Sequence, residues 1–439
     1  TITRLAREYA TIKPATLVTS IAAGRTAMGE QYHRAAAALE TITGNVSLKY
    51  WQAASGRNAS FNPQIPSPPN PVEVGKPPRR IALPFRGASV NSSARVSVSL
   101  FSDAILKGKE GGYPADYKFL WLSNTNYLNQ LGDSNKAGRA FKKLDFMLVT
   151  EQFMTATAKF ADIVLPVCTF LERTDLMAPR SGRILGILNK AIDPIGESRS
   201  QLDICQSLAA KLGITDYPDK SDEDYARYIV AQLSKEANFP EYDKLKTMGI
   251  YRAETVNPPA VTEKLNEATE TKSFPTPSGK IEIYSSVAAQ MDTPLIPPLP
   301  KYIDNWESLN DPLVKKYPFQ LITPHYKLRA HSQFDNLPWL RELLSQTVFI
   351  NTTDAAKHGI KHGELVRVFN DRGEVRIPAT VTERIMPGVV AVPQGAWYKP
   401  DKNGIDYGGC ANTLTKNMTS PGSAFAPNTA LVQIAKVGK

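Results

Sequence analysis

The pattern of apolar and polar positions between residues 118 and 167 predicts a parallel sheet. Three apolar runs, FLWLSNTN, DFMLVTEQF and DIVLPV, alternate with segments of helical spacing, of which SNKAGRAFKKL begins at Ser134. The runs are apolar on both faces and end in polar residues or proline, as expected for strands covered on both sides by helices. We therefore predict a doubly wound, Rossmann-like α/β domain, in which ligands bind at the carboxyl ends of the strands.

The first 80 residues contain weaker signals. Ile2 and Leu5 fall at helical spacing from the first residues onward, so we expect the chain to open within an element and to be a fragment of a longer protein. The run ATLVTS at 15–20 predicts a short buried strand, and a helix that ends at Gly44 follows it. The proline-crowded segment at 60–80 lacks a periodic apolar face and is predicted to be a surface excursion.

The last third of the chain changes to short β-rich segments separated by Gly, Asn and Asp: FQLITPH, TVFINTTDAAKHGI, GELVRVFNDRGEVRIPATVT and GVVAVPQGAW. Asp371-Arg372-Gly373 indicates a hairpin loop whose glycine supplies a positive φ. Thr353 is predicted to cap a short helix that Gly359 ends. We expect an α/β domain at 1–310, followed by a small β-barrel domain at 311–439.

Composition and charge narrow the classes of function. No run approaches the roughly 18 apolar residues of a membrane helix. The formal charge of +10 favours anionic ligands. Nucleic acid is not expected as the partner, because Lys and Arg are scattered among Asp and Glu and no aromatic RNA-binding strand or finger spacing occurs. Cys168, Cys205 and Cys410 are too few and too far apart for a disulfide scaffold, a zinc ribbon or an iron–sulfur motif.

Polar side chains follow the predicted strands at the points where ligands bind in such sheets. Asn124 lies at the end of the first strand and Glu151 at the end of the second, where an amide and a carboxylate can hold a pyrophosphate and a ribose or base. Ordinary loop polarity explains them equally well. The stretch TPHYKLRAHS at 323–332 concentrates hydrogen-bond donors after an apolar strand, which suits an anionic ligand or a solvated basic loop.

Two other candidates favour structural interpretations. His358 and His362 are four residues apart, but Gly359 and Gly363 interrupt any helix, and a turn is a better explanation than a zinc site. Cys168 follows the third apolar run and is predicted to pack in the core, since free cysteines are among the most buried residue types.

Taken together and in order, several segments resemble the dimethyl sulfoxide reductase family of molybdopterin oxidoreductases over nearly the whole chain. They are FLWLSNTNYLNQ, VTEQFMTATAKFADIVLPVCTFLER, PSGKIEIYS, TPHYKLRAHS, INTTDAAKHGIKHGELVRVFNDRG and GGCANTLT. HYKLRAHS and GIDYGGCANTLT are most similar to the catalytic subunits of anaerobic respiratory dimethyl sulfoxide reductases. The resemblance implies an α/β domain and a double-psi-like β-barrel with two molybdopterin guanine dinucleotides between them, carrying molybdenum or tungsten.

The resemblance also implies which residues bind the cofactor. Arg25 would approach the pterin, while Asn124 and Glu151 would serve the pyrophosphate and guanosine of one dinucleotide, with Arg173 nearby. The second dinucleotide half would be held from the barrel by Thr323, His325, Tyr326, Lys327, Arg329, His331 and Ser332, and the pocket closed by Trp397, Asn412 and Asn428. We expect the strand tips and the 323–332 stretch to line one groove between the two domains.

Part of the family's pattern is not found in this sequence. The cysteine-rich iron–sulfur site and the residue that ligates molybdenum belong to the family's amino-terminal half, so no catalytic residue is identified here. Gln201 stands where some relatives carry an acid. The implied partners are that missing half, an iron–sulfur electron-transfer subunit and a membrane-anchor subunit, which implies a periplasmic or membrane-associated location.

Three functions stay open at this point. The resemblance implies reduction of an S- or N-oxide, such as dimethyl sulfoxide, by oxygen-atom transfer in the intact enzyme, with this chain inactive on its own. A catalytically silent binding or scaffolding protein that retains the fold is the first alternative. A non-redox family member, a hydratase or transhydroxylase, is the second.

Overall fold

The fold was analysed in a computed structural model. It describes residues 1–45 except 14 and 16, 96–179, 184–233 except 216 and 218, 239–252, and 276–438 except 423. The predicted surface excursion at 60–80 lies outside the described residues.

The predicted parallel sheet is confirmed. Strands β1 (Phe119–Ser123), β2 (Phe146–Glu151) and β3 (Ile163–Pro166) pair in parallel and in chain order. The helix Ser134–Lys143 connects β1 to β2, and the side chain of Asp133 caps it by accepting a hydrogen bond from the Lys136 amide at 3.1 Å. The register places Ser123 beside Thr150, so the polar ends of β1 and β2 lie at one edge of the sheet.

A second sheet is small and antiparallel. It consists of β4 (Asp175–Met177), β5 (Ile184–Leu188) and β6 (Ile250–Arg252). Leu185 and Ile187 on β5 pack against helices Asp222–Leu233 and Tyr242–Met248 in a separate apolar cluster. The three central residues of β5, 185–187, are all buried, so this strand lies in the interior of the layer.

The predicted barrel is also confirmed. Six described strands close on themselves in the order β10-β8-β11-β7-β13-β9, because β9 pairs again with β10, and β12 adds to β10 outside the ring. The inward residues of these strands form a single buried apolar core. The strands are β7 (Phe319–Ile322), β8 (Val348–Ile350), β9 (Leu365–Asn370), β10 (Gly373–Val381), β11 (Val389–Ala391), β12 (Ile405–Asp406) and β13 (Leu431–Lys436).

The other described α-helices lie outside the sheets. They are Ile2–Thr11, Glu30–Ile42, Phe101–Lys107, Gln201–Lys211, Ser286–Gln290, Pro338–Leu343 and Thr352–Lys357. Among the helices that the structure describes, none is both long enough and apolar enough to cross a lipid bilayer.

The expected strand at 15–20 is wrong. Val18 is 81% exposed and no described residue of this run pairs with a neighbour, because a short apolar run forms a strand only where a sheet edge receives it. A 3₁₀ turn, Ala22–Arg25, leads instead into the helix Glu30–Ile42. That helix ends, as predicted, just before Gly44, whose φ is +65°.

Two details of local chemistry in the barrel also differ from expectation. The β9–β10 hairpin is present, but Gly373 does not adopt a positive φ. A Cβ there would lie 2.5 Å from Asn135 Nδ2 and 2.7 Å from Thr413 Cγ2, so glycine is needed for close approach of the α/β domain. The cap of helix Thr352–Lys357 is Asn351 rather than Thr353, because the side-chain oxygen Oδ1 of Asn351 accepts from the Thr353 backbone amide at 2.8 Å.

The barrel and the parallel sheet share an interface built around the hairpin tip. Asn135 donates from Nδ2 to the Arg372 carbonyl at 3.1 Å and accepts a hydrogen bond from the Tyr398 hydroxyl. Tyr398 and Cys410 from the barrel domain pack in the same apolar cluster as Leu128 of the α/β domain. The two domains are therefore joined by a continuous core and by side-chain hydrogen bonds.

We predict that Gly373→Ala lowers the free energy of unfolding by about 1–3 kcal/mol, because the added methyl group must displace Asn135 or Thr413. Urea unfolding followed by circular dichroism measures this. Gly438→Ala is the matched control, since nothing lies within 4 Å of a Cβ at that position. Equal stability of the two variants would contradict the close-approach explanation.

Candidate functional site

Two loops meet at the carboxyl ends of the parallel strands β7 and β11. We call Thr323–Asp335 the β7 loop and Val392–Lys399 the β11 loop. The Val392 amide donates to the Ile322 carbonyl at 3.1 Å, and the Gln394 amide donates to the Pro324 carbonyl at 2.9 Å. The sheet pairing thus continues beyond the strands and holds the two loops side by side.

A buried ion pair lies beneath these loops. The side chains of Arg329 and Asp335 are only 5% and 6% exposed, and Arg329 Nη1 lies 2.7 Å from Asp335 Oδ1. Arg329 Nη2 donates to Gln346 Oε1 at 2.6 Å and to the Gln394 carbonyl at 3.2 Å. The guanidinium carbon also lies 3.8 Å from the centre of the Tyr326 ring. Arg329 therefore links the β7 loop to the β11 loop.

Asp335 extends the same network to Trp397. Its second oxygen accepts from the Trp397 amide at 2.9 Å and from Arg341 Nη2 at 2.8 Å. The Trp397 indole donates to the Ser332 carbonyl at 2.7 Å. Burying a carboxylate is favourable only when its oxygens are paired and hydrogen-bonded, as they are here. The indole of Trp397 and the backbone of Ser332 are consequently fixed relative to each other.

The outer side of the β7 loop carries exposed donors. His325, Lys327 and His331 are exposed, and the centres of the two imidazole rings lie 5.1 Å apart. Gln394 Nε2 lies 2.8 Å from His325 Nδ1, 3.2 Å from His325 Nε2 and 3.4 Å from His331 Nδ1. Asp335 is the loop's one acidic residue and its charge is already matched by Arg329. The exposed surface of the loop therefore suits an anion.

Residues from the two ends of the chain reach the start of this loop. Asn428 Oδ1 accepts from the amide and the hydroxyl of Thr323, at 2.8 and 3.0 Å. The Asn428 amide donates to the Arg25 carbonyl at 3.2 Å. The structure thus brings together Arg25, Thr323 and Asn428, three of the residues that were predicted from the sequence.

Asn124 and Glu151 lie at adjacent strand ends of the α/β domain. Asn124 is exposed, has a φ of +49° and donates from its amide to the Thr150 carbonyl at 2.9 Å. Glu151 is half-buried, and burial raises the pKa of its carboxyl group, although Oε1 accepts from the Gln152 amide at 2.8 Å. Beside them, Ser123 donates to Gln201 Oε1 at 3.1 Å.

A cavity of about 460 Å³ lies between the two domains. Tyr326, Arg329 and Trp397 line it from the barrel side, and Ala156 and Lys159 from the loop that follows β2. Its lining does not include the strand tips of the α/β domain or the two histidines. One continuous groove joining all the predicted residues therefore stays a prediction.

Two predicted cofactor-binding residues lie outside these clusters. Arg173 pairs with Asp175 at 2.7 Å and lines a separate cavity of about 330 Å³. Asn412 donates from Nδ2 to the Leu131 carbonyl at 2.7 Å and so belongs to the contact between the domains. Arg329 was also predicted to bind the cofactor. Both of its Nη atoms, however, form hydrogen bonds within the protein.

The candidates with structural interpretations lie as predicted: His358 and His362 are exposed and each precedes a glycine with a positive φ, Gly359 and Gly363. The His358 ring lies 5.3 Å from the Phe319 ring. Cys168 is buried, as predicted, and burial raises the pKa of its thiol group. Sequence reasoning missed Asp335, Gln346 and Gln394, since one acid and two amides in irregular segments leave no periodic signal.

Comparison with known families accounts for this arrangement. Residues 319–429 match the family model of the molydopterin dinucleotide binding domain, and residues 8–211 match that of the molybdopterin oxidoreductases. The chain belongs to the molybdopterin oxidoreductases. The resemblance to the dimethyl sulfoxide reductase family is confirmed, as is molybdopterin guanine dinucleotide with molybdenum as the cofactor.

Individual relatives agree with this assignment. The chain is 34% identical to dimethyl sulfoxide reductase DmsA of Escherichia coli strain K12, over 99% of this chain and 55% of the relative. It is 31% identical to a trimethylamine-N-oxide reductase of Pasteurella multocida, over 90% of this chain and 50% of the relative. This molybdopterin oxidoreductase chain therefore spans about half the length of the curated relatives it matches.

A solved structure shows the same fold. Acetylene hydratase from Pelobacter acetylenicus superimposes with a TM-score of 0.62 at 21% identity, covering 78% of this chain and 47% of that chain. At this identity the likeness concerns the fold alone.

The residues of the β7 loop fit the anionic part of this cofactor. The loop exposes two imidazoles and one ammonium group and no unpaired carboxylate. Beneath them Arg329 Nε is buried without a hydrogen-bond partner among the described residues. The exposed imidazoles and ammonium group suit pyrophosphate oxygens, which accept hydrogen bonds and carry negative charge.

We predict that Arg329→Met lowers the free energy of unfolding by about 3 kcal/mol, because it removes the buried cation of Asp335 and leaves that carboxylate paired only with the exposed Arg341. Lys327→Ala, two residues away on the exposed side of the loop, is the control. We expect it to change the free energy of unfolding by less than about 0.5 kcal/mol. Chemical denaturation of both variants measures the difference. A near-neutral Arg329→Met would show that the ion pair does not hold the loop.

A second prediction concerns pH and the buried Glu172 next to Arg173. Amides of Ile195 and Thr169 donate to its carboxylate at 2.6 and 2.7 Å, and these bonds lower its pKa to about 2. A lowered folded-state pKa contributes stability that is present above the unfolded value near 4.3 and is lost as the pH falls toward 2. Glu172→Gln should therefore reduce the melting temperature at pH 7.

The difference from wild type should shrink steadily between about pH 5 and pH 2. Thermal unfolding at several pH values measures it, with the exposed Glu197→Gln as the control. A difference that is constant over this range would mean that the Glu172 charge is not involved.

Proposed function

We propose that this chain is the dinucleotide-binding portion of a molybdopterin oxidoreductase that reduces an S- or N-oxide by oxygen-atom transfer. The relatives named above as dimethyl sulfoxide and trimethylamine-N-oxide reductases support this choice of substrate class. The observation that carries the proposal is the β7 loop, whose exposed donors lie above a buried ion pair inside the matched dinucleotide-binding domain.

Different residues would bind or position different parts of the cofactor. His325, Lys327 and His331 would donate to pyrophosphate oxygens, and the Thr323–Asn428–Arg25 contact would position the start of the loop. Tyr326, Ser332 and Trp397 would form the wall of the site on the barrel side, and Arg329 would act through them rather than by direct contact.

On the α/β side, Asn124 would donate to the phosphates and Glu151 would accept from guanine N–H groups, with Arg173 and Asn412 as outer members of the set. When bound, the cofactor supplies the redox centre at which an oxide loses its oxygen. This chain orients the cofactor and neutralises its charge. The catalytic metal ligand belongs to the part of the relatives that this chain does not span.

The same proposal includes partners. The remaining half of the relatives' length, an iron–sulfur electron-transfer subunit and a membrane anchor would complete the enzyme in a periplasmic or membrane-associated location.

An enzyme purified from its host through a tag on this chain should oxidise a reduced viologen dye when dimethyl sulfoxide or trimethylamine N-oxide is added. A complex that contains the cofactor but reduces neither oxide would favour a binding or non-redox role.

Lys327→Ala should weaken binding of GDP, which serves as a probe for the diphosphate end of the cofactor, about fivefold. This corresponds to on the order of 1 kcal/mol for an exposed charged contact. The effect should diminish at high salt, because an exposed charge is screened. Isothermal titration calorimetry measures it. Lys142→Ala, on the helix Ser134–Lys143, is the control and should bind GDP like wild type.

Equal losses in the Lys142 and Lys327 variants would indicate a general charge effect and remove the β7 loop from the site.

A further inference from the structure

The cavity between the two domains shares only part of its lining with the proposed dinucleotide site. Its volume of about 460 Å³ lies within the roughly 300–1,000 Å³ that small-molecule sites occupy. Asn124, Glu151 and the two histidines of the β7 loop do not line it. It borders instead the inner side of that loop, where Arg329 and Asp335 are buried. The cavity is therefore a candidate site for a second ligand.

Basic side chains from both domains line this cavity. Lys159 comes from the α/β domain, Arg341 and Lys399 come from the barrel domain, and all three are exposed. Neither lysine forms an ion pair with a residue that the structure describes. Asp335 is the one acidic residue in the described lining, and its two oxygens are already bound by Arg329 and Arg341. The cavity therefore carries excess positive charge and favours an anion.

Aromatic side chains also line the cavity. The hydroxyl groups of Tyr326 and Tyr398 and the indole N–H of Trp397 form hydrogen bonds within the protein. Since their polar atoms are engaged, these residues offer a ligand the carbon atoms of their rings. Aromatic rings pack on one another in offset-stacked or edge-to-face arrangements, so this lining suits a ligand with a planar ring.

Phe334 lines the same cavity in a strained backbone conformation. Its φ is +73°, which a bulky residue rarely adopts, and the residue is 48% exposed. The buried ion pair of the next residue, Asp335, holds the backbone there. An exposed ring contributes little to the core, so burial does not account for the strain. Backbone strain of this kind clusters at ligand sites, and a ring that contacts a ligand accounts for it.

We propose that this cavity is a second ligand site, which takes a small organic phosphate that carries a planar ring. Lys159, Arg341 and Lys399 would bind the phosphate, and the ring would pack against Phe334 and Trp397. Three cations suit a phosphate, whose charge is about −1.5 to −2 near pH 7, better than a singly charged carboxylate. The site goes beyond the proposed dinucleotide role of the β7 loop and does not depend on it.

Phenyl phosphate is the probe, and isothermal titration calorimetry on the full chain measures its affinity. Inorganic phosphate lacks the ring and benzoate carries a single charge, so each should bind at least roughly fivefold more weakly. Phe334→Ala should weaken phenyl phosphate about threefold and leave inorganic phosphate unchanged. Absence of saturable binding, or equal affinities for phenyl phosphate and inorganic phosphate, would overturn the proposal.

The lysines of the two domains test the position of the phosphate. Lys159→Ala and Lys399→Ala should each weaken phenyl phosphate roughly fivefold. Lys402→Ala is the matched control, since Lys402 is equally exposed in the turn that follows Lys399 but does not line the cavity. It should bind phenyl phosphate like wild type. Equal losses in all three variants would mean attraction by overall charge and would overturn the site.

A variant of the outer β7 loop separates this site from the dinucleotide site. Lys327→Ala should leave the affinity for phenyl phosphate unchanged, although it is expected to weaken GDP. A loss in Lys327→Ala as large as that in Lys399→Ala would place the probe on the β7 loop and overturn the second site. If phenyl phosphate follows the expected lysine pattern while GDP does not bind, the proposed dinucleotide function fails and the second site stands.

Discussion

The ion pair between Arg329 and Asp335 is the interaction on which the candidate site depends. Two charges removed from water are stable only while they are paired and hydrogen-bonded to their surroundings. Here Gln346, Trp397 and the Gln394 carbonyl provide hydrogen bonds from three different segments, and Arg329 Nε is the one atom of the pair without a partner among the described residues. If any of these segments shifted, a buried charged group would lose a hydrogen-bond partner. The ion pair therefore determines the relative position of both loops.

This arrangement divides the β7 loop into an inner and an outer half. The inner half is occupied with protein contacts, and the outer half presents His325, Lys327 and His331 to solvent. Because the backbone is already ordered, a ligand that binds there does not have to order it, and less binding free energy is lost. A large polyanionic cofactor needs several such donors at once, so order in the free protein matters more than the strength of any single contact.

The sequence predicted the repeated elements well and the singular contacts poorly. The parallel sheet and the barrel follow from apolar periodicity, which many residues share. The expected strand at 15–20 was wrong because pairing depends on a sheet edge that periodicity does not describe. Gly373 was predicted to adopt a positive φ. Glycine is needed there because a Cβ would collide with Asn135, which is more than 200 residues away in the sequence. Asp335 and Gln394 were missed for the same reason, since their partners are set by the tertiary fold.

The contact between the first and last parts of the chain has a consequence for biosynthesis. The Ala27 amide donates to Thr429 Oγ1 at 2.7 Å, and Glu30 accepts from the Ser420 hydroxyl at 2.5 Å. Residues this far apart in sequence come together late in folding, after the entropy of closing the loop between them has been lost. During translation, helix Glu30–Ile42 leaves the ribosome long before its docking surface exists. The Ala27 amide and the Glu30 carboxylate therefore have no access to these partners until residues 420–429 have been synthesised.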